Sequence, residues 1–422
     1  MPMNGPLCVA VLIVLSMWLV AGRSSAADPG PPDDAPPVRV EPMLIAQLGG
    51  EHFANSVYRR GANGPRIAAS GTRILEWPIQ ASAPATEVVP DTPFDYSNGA
   101  CAMDVNGDGL DEMIVGREYD SSSHQSDVLW FEEVPGQEQW REHLVGRLTE
   151  QGDPHDIMPI EVNVAGRVVR GVAVLSARRF LYWYQIPRDP TQPWEKHQIA
   201  DLQQSGMVGS ESGLVLGDLA GNGRPDLVCG NFWAECPADP TSQPWTVRRY
   251  GDWDGHPMPG KSAGWGGMTQ LDLGDLDGDG RLEIVAAEAE IPDARLGVFR
   301  RDAANPDGLW ELTTLDTGLY CPHSLVVADV NGDGRPDILV GEMTAGGWEV
   351  PKSAHPRLYL YLNEGDLRFR KYTLHSGWGV HMMRMAPRRP DEHGVFAFAA
   401  DEIQSWYKDM TTHVVGWTIS PR

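Results

Sequence analysis

The chain has 422 residues, 41% hydrophobic and 22% charged, enough to bury one large core or two ordinary ones. Its 46 Gly and 34 Pro favour many turns over long helices. A net charge of −24 excludes sequence-independent binding to nucleic-acid backbones and makes cations the natural partners of its surface.

Residues 8–21, "CVAVLIVLSMWLVA", form an apolar run, and "SSA" at 24–26 offers small residues for cleavage before Ala27. The expectation is a signal peptide over 1–26 and a secreted or periplasmic protein. The alternative is an uncleaved anchor, although the run is short for a span. "DPGPPDDAPP" at 28–37 then reads as a Pro-rich tether, placed at 27–40, with the folded domain over 41–422. Cys101, Cys229, Cys236 and Cys321 are irregularly spaced, which excludes a zinc ribbon and leaves room for one disulfide, for instance Cys236–Cys321.

The rest of the chain repeats. "CAMDVNGDGLDEMIVG" (101–116), "VLGDLAGNGRPDLVCG" (215–230), "LGDLDGDGRLEIVAA" (273–287) and "VADVNGDGRPDILVG" (327–341) align directly. The first gap is twice the others, so a copy is expected near residue 161. "IEVNVAGRVVRGVAVLSA" (160–177) is there, without its acids. Degenerate copies at 58–73 and 381–402 bring the units to seven. After each apolar run comes an aromatic-rich strand ("ILEWPI", "VLWFEEV", "FLYWYQI", "LGVFRR", "LYLYLNE", "IQSWY"). A loop follows, and then an alternating strand opened by Trp140, Trp194, Trp245, Trp310 or Phe369. Four short strands per unit, repeated around a ring that leaves no exposed sheet edge, define an all-β, seven-bladed propeller of four-stranded blades. Either "HVVGWTI" (413–419) or "VRVEPMLIAQL" (38–48) supplies the closing strand. The repeated Trp is expected to pack between blades.

Between the first and second strands of a blade lies an acid loop. Counting its first Asp as one, oxygen side chains fall at one, three, five and nine, a Gly supplies the sharp turn at six, and position seven contributes its carbonyl. The complete copies are Asp104, Asn106, Asp108, Leu110 and Glu112; Asp275, Asp277, Asp279, Arg281 and Glu283; and Asp329, Asn331, Asp333, Arg335 and Asp337. A fourth keeps Asp218, Asn222 and Asp226 but has Ala220 at position three. Position twelve is Val115, Ala286 or Val340 in place of the Glu of an EF-hand, and a strand follows in place of a helix. Oxygen ligands converging in repeated register predict about three structural Ca²⁺ sites.

With these loops and their period, the chain resembles the FG-GAP or VCBS repeat family of seven-bladed propellers, to which the integrin α-subunit head is similar. The resemblance implies that the calcium is structural and that the loops lie on the face away from the usual binding face. "GNFWAECPADPTSQPW" (230–245) and "GEMTAGGWEVPKSAHP" (341–356) look like blades of propellers that act on carbohydrates, among them polysaccharide lyases and the propeller part of aldos-2-ulose dehydratase. That resemblance implies proton abstraction by His or Tyr beside a carbonyl or carboxylate, often with a metal.

Six residues before each loop stand Asn98, His155, Ser212, Thr269, His323 and His381, at the opposite end of the innermost strand. The second strands return there with Arg117, Asn231, Trp233, Glu288, Glu290, Glu342, Asp401 and Glu402, and neighbouring loops add Glu211, Trp265, Tyr320 and Trp378. His155, His323, His381, Glu288, Glu342 and Asp401 are the candidate acid–base groups, and the same set could hold a further metal. Asn98, Arg117, Asn231, Trp233, Trp265, Tyr320 and Trp378 are the candidate binding residues. Two functions follow: a secreted propeller that binds or processes a carbohydrate there as a lyase or dehydratase would, or a non-catalytic adhesion module with a protein ligand.

Overall fold

The computed structural model describes residues 35–49, 53, 55–79, 83–120, 125–148, 154–176, 180–201, 213–252, 269–344, 352–388, 394–401 and 411–422. The "SSA" segment and the apolar run at 8–21 lie outside them.

The first strand, β1 (Val38–Gly49), stands apart from the six consecutive blades that follow it. Blade 1 is β2 (Asn55–Gly61), β3 (Gly64–Ser70), β4 (Ile74–Pro78) and β5 (Thr86–Val89). Blade 2 is β6 (Tyr96–Met103), β7 (Glu112–Asp120), β8 (Gln125–Glu132) and β9 (Arg141–Leu148). Blade 3 is β10 (Pro154–Val164), β11 (Arg167–Ser176), β12 (Phe180–Gln185) and β13 (Glu195–Asp201). Blade 4 is β14 (Leu214–Gly217), β15 (Asp226–Cys229), β16 (Phe232–Glu235) and β17 (Thr246–Arg249). Blade 5 is β18 (Thr269–Gly274), β19 (Glu283–Glu288), β20 (Ala294–Arg300) and β21 (Glu311–Leu319). Blade 6 is β22 (Pro322–Ala328), β23 (Asp337–Glu342), β24 (Arg357–Asn363) and β25 (Phe369–Ser376). Blade 7 takes β26 (His381–Met385), β27 (Val395–Ala400) and β28 (Thr411–Pro421) from the C-terminus and β1 as its outermost strand.

The innermost strands touch in sequence around the ring, and β26 closes it against β2. Second strands are covered on both faces, so β19 and β23 are buried at every residue and read as unbroken apolar runs between acids. Outermost strands meet solvent, and in β25 Tyr372 alone is buried. Apolar side chains from each pair of adjacent blades merge into one cluster, giving seven inter-blade clusters among the described residues. Trp194 packs with blade 2, Trp245 with blade 3 and Trp310 with blade 4, so the repeated ring at the start of the fourth strand is inter-blade packing. Tight approach within blades is enforced too: a Cβ on Gly171 would come within 2.1 Å of the Tyr184 carbonyl oxygen.

One open alternative is settled and three expectations are corrected. The closing strand is the early segment, with Val38 opposite Pro421 and Gly49 opposite Thr411; the tail is the third strand of the same blade. "IQSWY", expected as that third strand, lies outside the described residues, and Thr411–Pro421 occupies the position. The tether expected over 27–40 gives way to ladder pairing at Val38, because β1 pairs with β28 along the length of that strand, up to Pro421. All four cysteines are free and buried, so Cys236–Cys321 is not a disulfide. Cys236 packs between blades 3 and 4, whereas Cys321 sits beside Met343.

Candidate functional site

The innermost strands start at one end of the channel and run into the acid loops at the other. A seven-residue strand spans about 23 Å, so the two features are separated by the thickness of the molecule. The start positions converge at the mouth in two groups. In the first, Asn98 Nδ2 lies 3.0 Å from His155 Nε2, and His155 Nδ1 lies 3.1 Å from Asp156 Oδ2. The Asp156 carboxylate fixes the Nδ1–H tautomer, which leaves Nε2 to accept from the Asn98 amide.

The second group spans blades 5, 6 and 7. His323 and His381 are both fully buried and stack, with ring centroids 4.3 Å apart and planes at 28°. Gln270 Nε2 is 3.2 Å from His323 Nδ1, and Glu290 Oε1 is 3.3 Å from its Nε2. Glu290 reaches this point from a left-handed backbone (φ 60°) two residues after β19. Thr269, at the start of β18, is buried beside Gln270. Asp401 follows the Ala400 that pairs with His381, and it accepts a 2.8 Å hydrogen bond from Thr344 Oγ1.

Other candidates are engaged inside the blades. Glu288 is fully buried and chelated by Arg295 through Nη2 (2.6 Å) and Nε (2.9 Å). Glu342 accepts from the backbone N–H groups of Tyr320 (2.9 Å) and Arg357 (3.1 Å), and burial raises its pKa. These contacts give Glu288 and Glu342 structural work. Arg117 pairs with Glu142 at 2.7 Å and lies 3.6 Å from Asp127. Trp233, expected as a stacking ring, is 1% exposed in the cluster between blades 4 and 5, with Arg248 and Arg301 over its faces at 5.1 and 5.4 Å. That corrects its role to packing, because the pleat turns its face toward the neighbouring blade. Asn231 is likewise buried, and its carbonyl accepts from Tyr250 N at 2.9 Å. Trp378 is half-buried, 4.7 Å from His375. Tyr320 is also half-buried, packed against Cys321 and Met343. Glu211, Ser212, Trp265 and Glu402 lie outside the described residues.

Along the channel below the mouth is a cavity of about 210 Å³ lined by the innermost strands of blades 3 to 7. It gathers Asp156, Asp272 and Arg384, of which only the mouth neighbour Asp156 adjoins a sequence candidate. Burial pushes the Asp272 carboxyl up to about 6, against N–H donation from Val327 and Leu273. Asp156, Gln270, Asp272 and Arg384 were missed because the six-residue count marks strand starts alone. The alternation of inward residues further along each strand is the signal that would have found the cavity.

At the other end the acid loops form as spaced. Gly109, Gly280 and Gly334, at position six, take φ of 89°, 84° and 88°, and each donates its N–H to the first Asp at 3.1, 3.0 and 3.0 Å. The loops differ at position nine. Glu112 and Glu283 bond the position-two N–H at 2.7 Å with one carboxylate oxygen. The shorter Asp337 accepts from Val330 N with one oxygen and from Asn363 N with the other, and Asp226 accepts from Ala220 N and Cys236 N in the same way. Among the described residues, Asp275, Asp277 and Glu283 alone bring three carboxylate, imidazole or thiol ligand atoms within 4.8 Å of one another; the loops at 104 and 329 have Asn at position three. Asp279, the side chain expected at position five there, pairs with Arg281 at 2.5 Å.

Seven antiparallel four-stranded sheets about a channel make the protein a seven-bladed β-propeller. Residues 275–340, from the acid loop of blade 5 to the second strand of blade 6, match the family model of the FG-GAP-like repeat. The chain is thus a seven-bladed β-propeller that carries an FG-GAP-like repeat across blades 5 and 6. Among solved structures it is similar to the biofilm matrix protein Bap1 of V. cholerae, at 12% identity and a TM-score of 0.37, over 91% of this chain and 71% of that one. No curated protein matches the sequence. No helix among the described residues is long and apolar enough to cross a membrane.

Proposed function

We propose that this is an exported, calcium-stabilised propeller that binds or processes a carbohydrate at the histidine end of its channel. The observation that carries the reading is the buried His323–His381 stack with Glu290 on His323. Burying two imidazoles beside a half-buried carboxylate contributes little to a propeller that already has seven apolar clusters, whereas such a group can move a proton or orient a polyhydroxyl ligand. His155 with Asp156 behind it repeats the arrangement across the mouth. Export is inferred from residues 8–26 and is tested by the N-terminal sequence of the mature protein.

Calcium is assigned first to Asp275, Asp277 and Glu283. A buried Asp275 oxygen there has no hydrogen-bond partner, and burial pushes Glu283 up to about 7, the strain a divalent cation relieves. The site suits a hard cation, which would pin the turn between β18 and β19.

The test is His323→Gln and Glu290→Gln, assayed for binding to a glycan array and for turnover of any bound glycan. Each is expected to lose at least tenfold in binding or rate, with a melting temperature within a few degrees of the parent. Unchanged glycan binding in both variants would sink the carbohydrate reading. The second reading, a non-catalytic module for a protein ligand, is favoured by the engagement of Glu288, Glu342, Arg117 and Trp233 within the blades. It predicts no bound glycan at all.

A further inference from the structure

Blade 3 departs from the repeat on the loop face, far from the mouth. Where blades 2, 4, 5 and 6 carry an acid loop, β10 and β11 are joined by Ala165 and Gly166 at φ 51° and 85°, the two-residue turn of a tight hairpin. In place of carboxylates the hairpin carries Arg167 and Arg170. Arg170 is anchored: its Nε donates to Glu161 at 2.7 Å, and its Nη2 donates to the carbonyl oxygen of Asp104 in blade 2. Arg167 is exposed and, among the described residues, its side chain makes no ion pair or hydrogen bond. The same holds for Arg188, which follows β12.

These three arginines line a groove of about 380 Å³ whose lining includes no Asp or Glu side chain. In a chain of net charge −24 the three arginines are a local concentration of positive charge, with Glu161 paired to Arg170 and Asp239 within electrostatic reach of Arg167. The adjacent acid, Asp189, is turned into its own bend, accepting from Thr191 N at 3.1 Å and Thr191 Oγ1 at 2.7 Å. Between the guanidinium groups lie apolar surfaces, Ile186 and the 57% exposed Val168, with Asn106 and Gln185 at the edges.

We propose that this groove is an oxyanion site, taking a carboxylate or sulfate group on the forks of Arg167 and Arg188. Guanidinium groups bind such groups through paired, charge-assisted hydrogen bonds, and Val168 with Ile186 would cover the carbon skeleton attached to the anion. Arg170, held by Glu161 and by the blade 2 loop, supplies a fixed positive wall and couples the groove to that loop. The site is independent of the histidine mouth.

The experiment is isothermal titration of the full chain in calcium-containing buffer at low ionic strength, with sulfate alone and with trigalacturonate. Both probes share the chemistry but differ in source, a free anion or a sugar-acid chain. Saturable binding is expected, weakened at least tenfold in R167Q/R188Q and retained in His323→Gln. Trigalacturonate binding more tightly than sulfate assigns the groove to an acidic glycan, and equal binding assigns it to a free anion. Because both arginines are exposed, the double variant is expected to melt with the parent. No binding of either probe, or equal binding by parent and double variant, overturns the proposal.

Discussion

At the residue scale, the mouth is decided by partners more than by the histidines themselves. Around His323, Gln270 lies 3.2 Å from Nδ1 and Glu290 lies 3.3 Å from Nε2, so each ring nitrogen has its own polar neighbour. The histidines were legible as strand starts, but Gln270 comes from a different blade, and no local pattern announces a cross-blade contact. Asp272 gives a test of the channel interior. Its folded pKa of about 6 lies above an unfolded value near ~4, so its contribution to stability is full below pH 4 and lost as pH rises through 6. Asp272→Asn removes this dependence. In urea unfolding, the stability difference between variant and parent should move in favour of the variant between pH 4 and pH 7. A difference that stays constant across that window would contradict a buried, raised carboxyl.

At the scale of the element, the acid loop is a turn whose backbone is organised by its own side chains. The first Asp accepts N–H groups from positions four and six in the copies at 104 and 329, which shapes the loop before any cation arrives. The sequence shows three equivalent loops. The structure sets one of them apart: Glu112 and Glu283, one methylene longer, take the position-two N–H with a single oxygen, whereas both oxygens of Asp337 are held by the N–H groups of Val330 and Asn363. Calcium should therefore raise the melting temperature of the parent and EDTA should lower it, each saturated site contributing about 2.7 kcal/mol at a hundredfold excess over Kd. Glu283→Gln should shrink that calcium-dependent shift. Asp337→Asn should lower the melting temperature about equally with and without calcium, since it loses hydrogen bonds that need no ion. Identical calcium responses in parent and Glu283→Gln would remove the assignment to the blade 5 loop.

At the scale of the whole molecule, closure comes from joining the two chain ends in one blade. β1 covers the edge of β28 along its length and buries Val38 and Ile45, each contributing about 1.5–3 kcal/mol. Deleting residues 1–49 should lower the melting temperature sharply and promote aggregation through the exposed β28 edge, measured by thermal scanning and light scattering. A truncated chain as stable and monodisperse as the parent would show that the ring closes another way. The repeats, the blade count and the turn chemistry could be read from the sequence alone, because period and Gly–Asp spacing are local properties that each blade satisfies within itself. Tertiary structure alone decided which terminus lies outermost, that Trp233 and Glu288 are interior, and that arginines from one hairpin and the strand beyond it line a groove. Those outcomes depend on which surfaces meet when seven sheets are wrapped into a ring, and neighbouring blades meet through residues that are far apart in the chain.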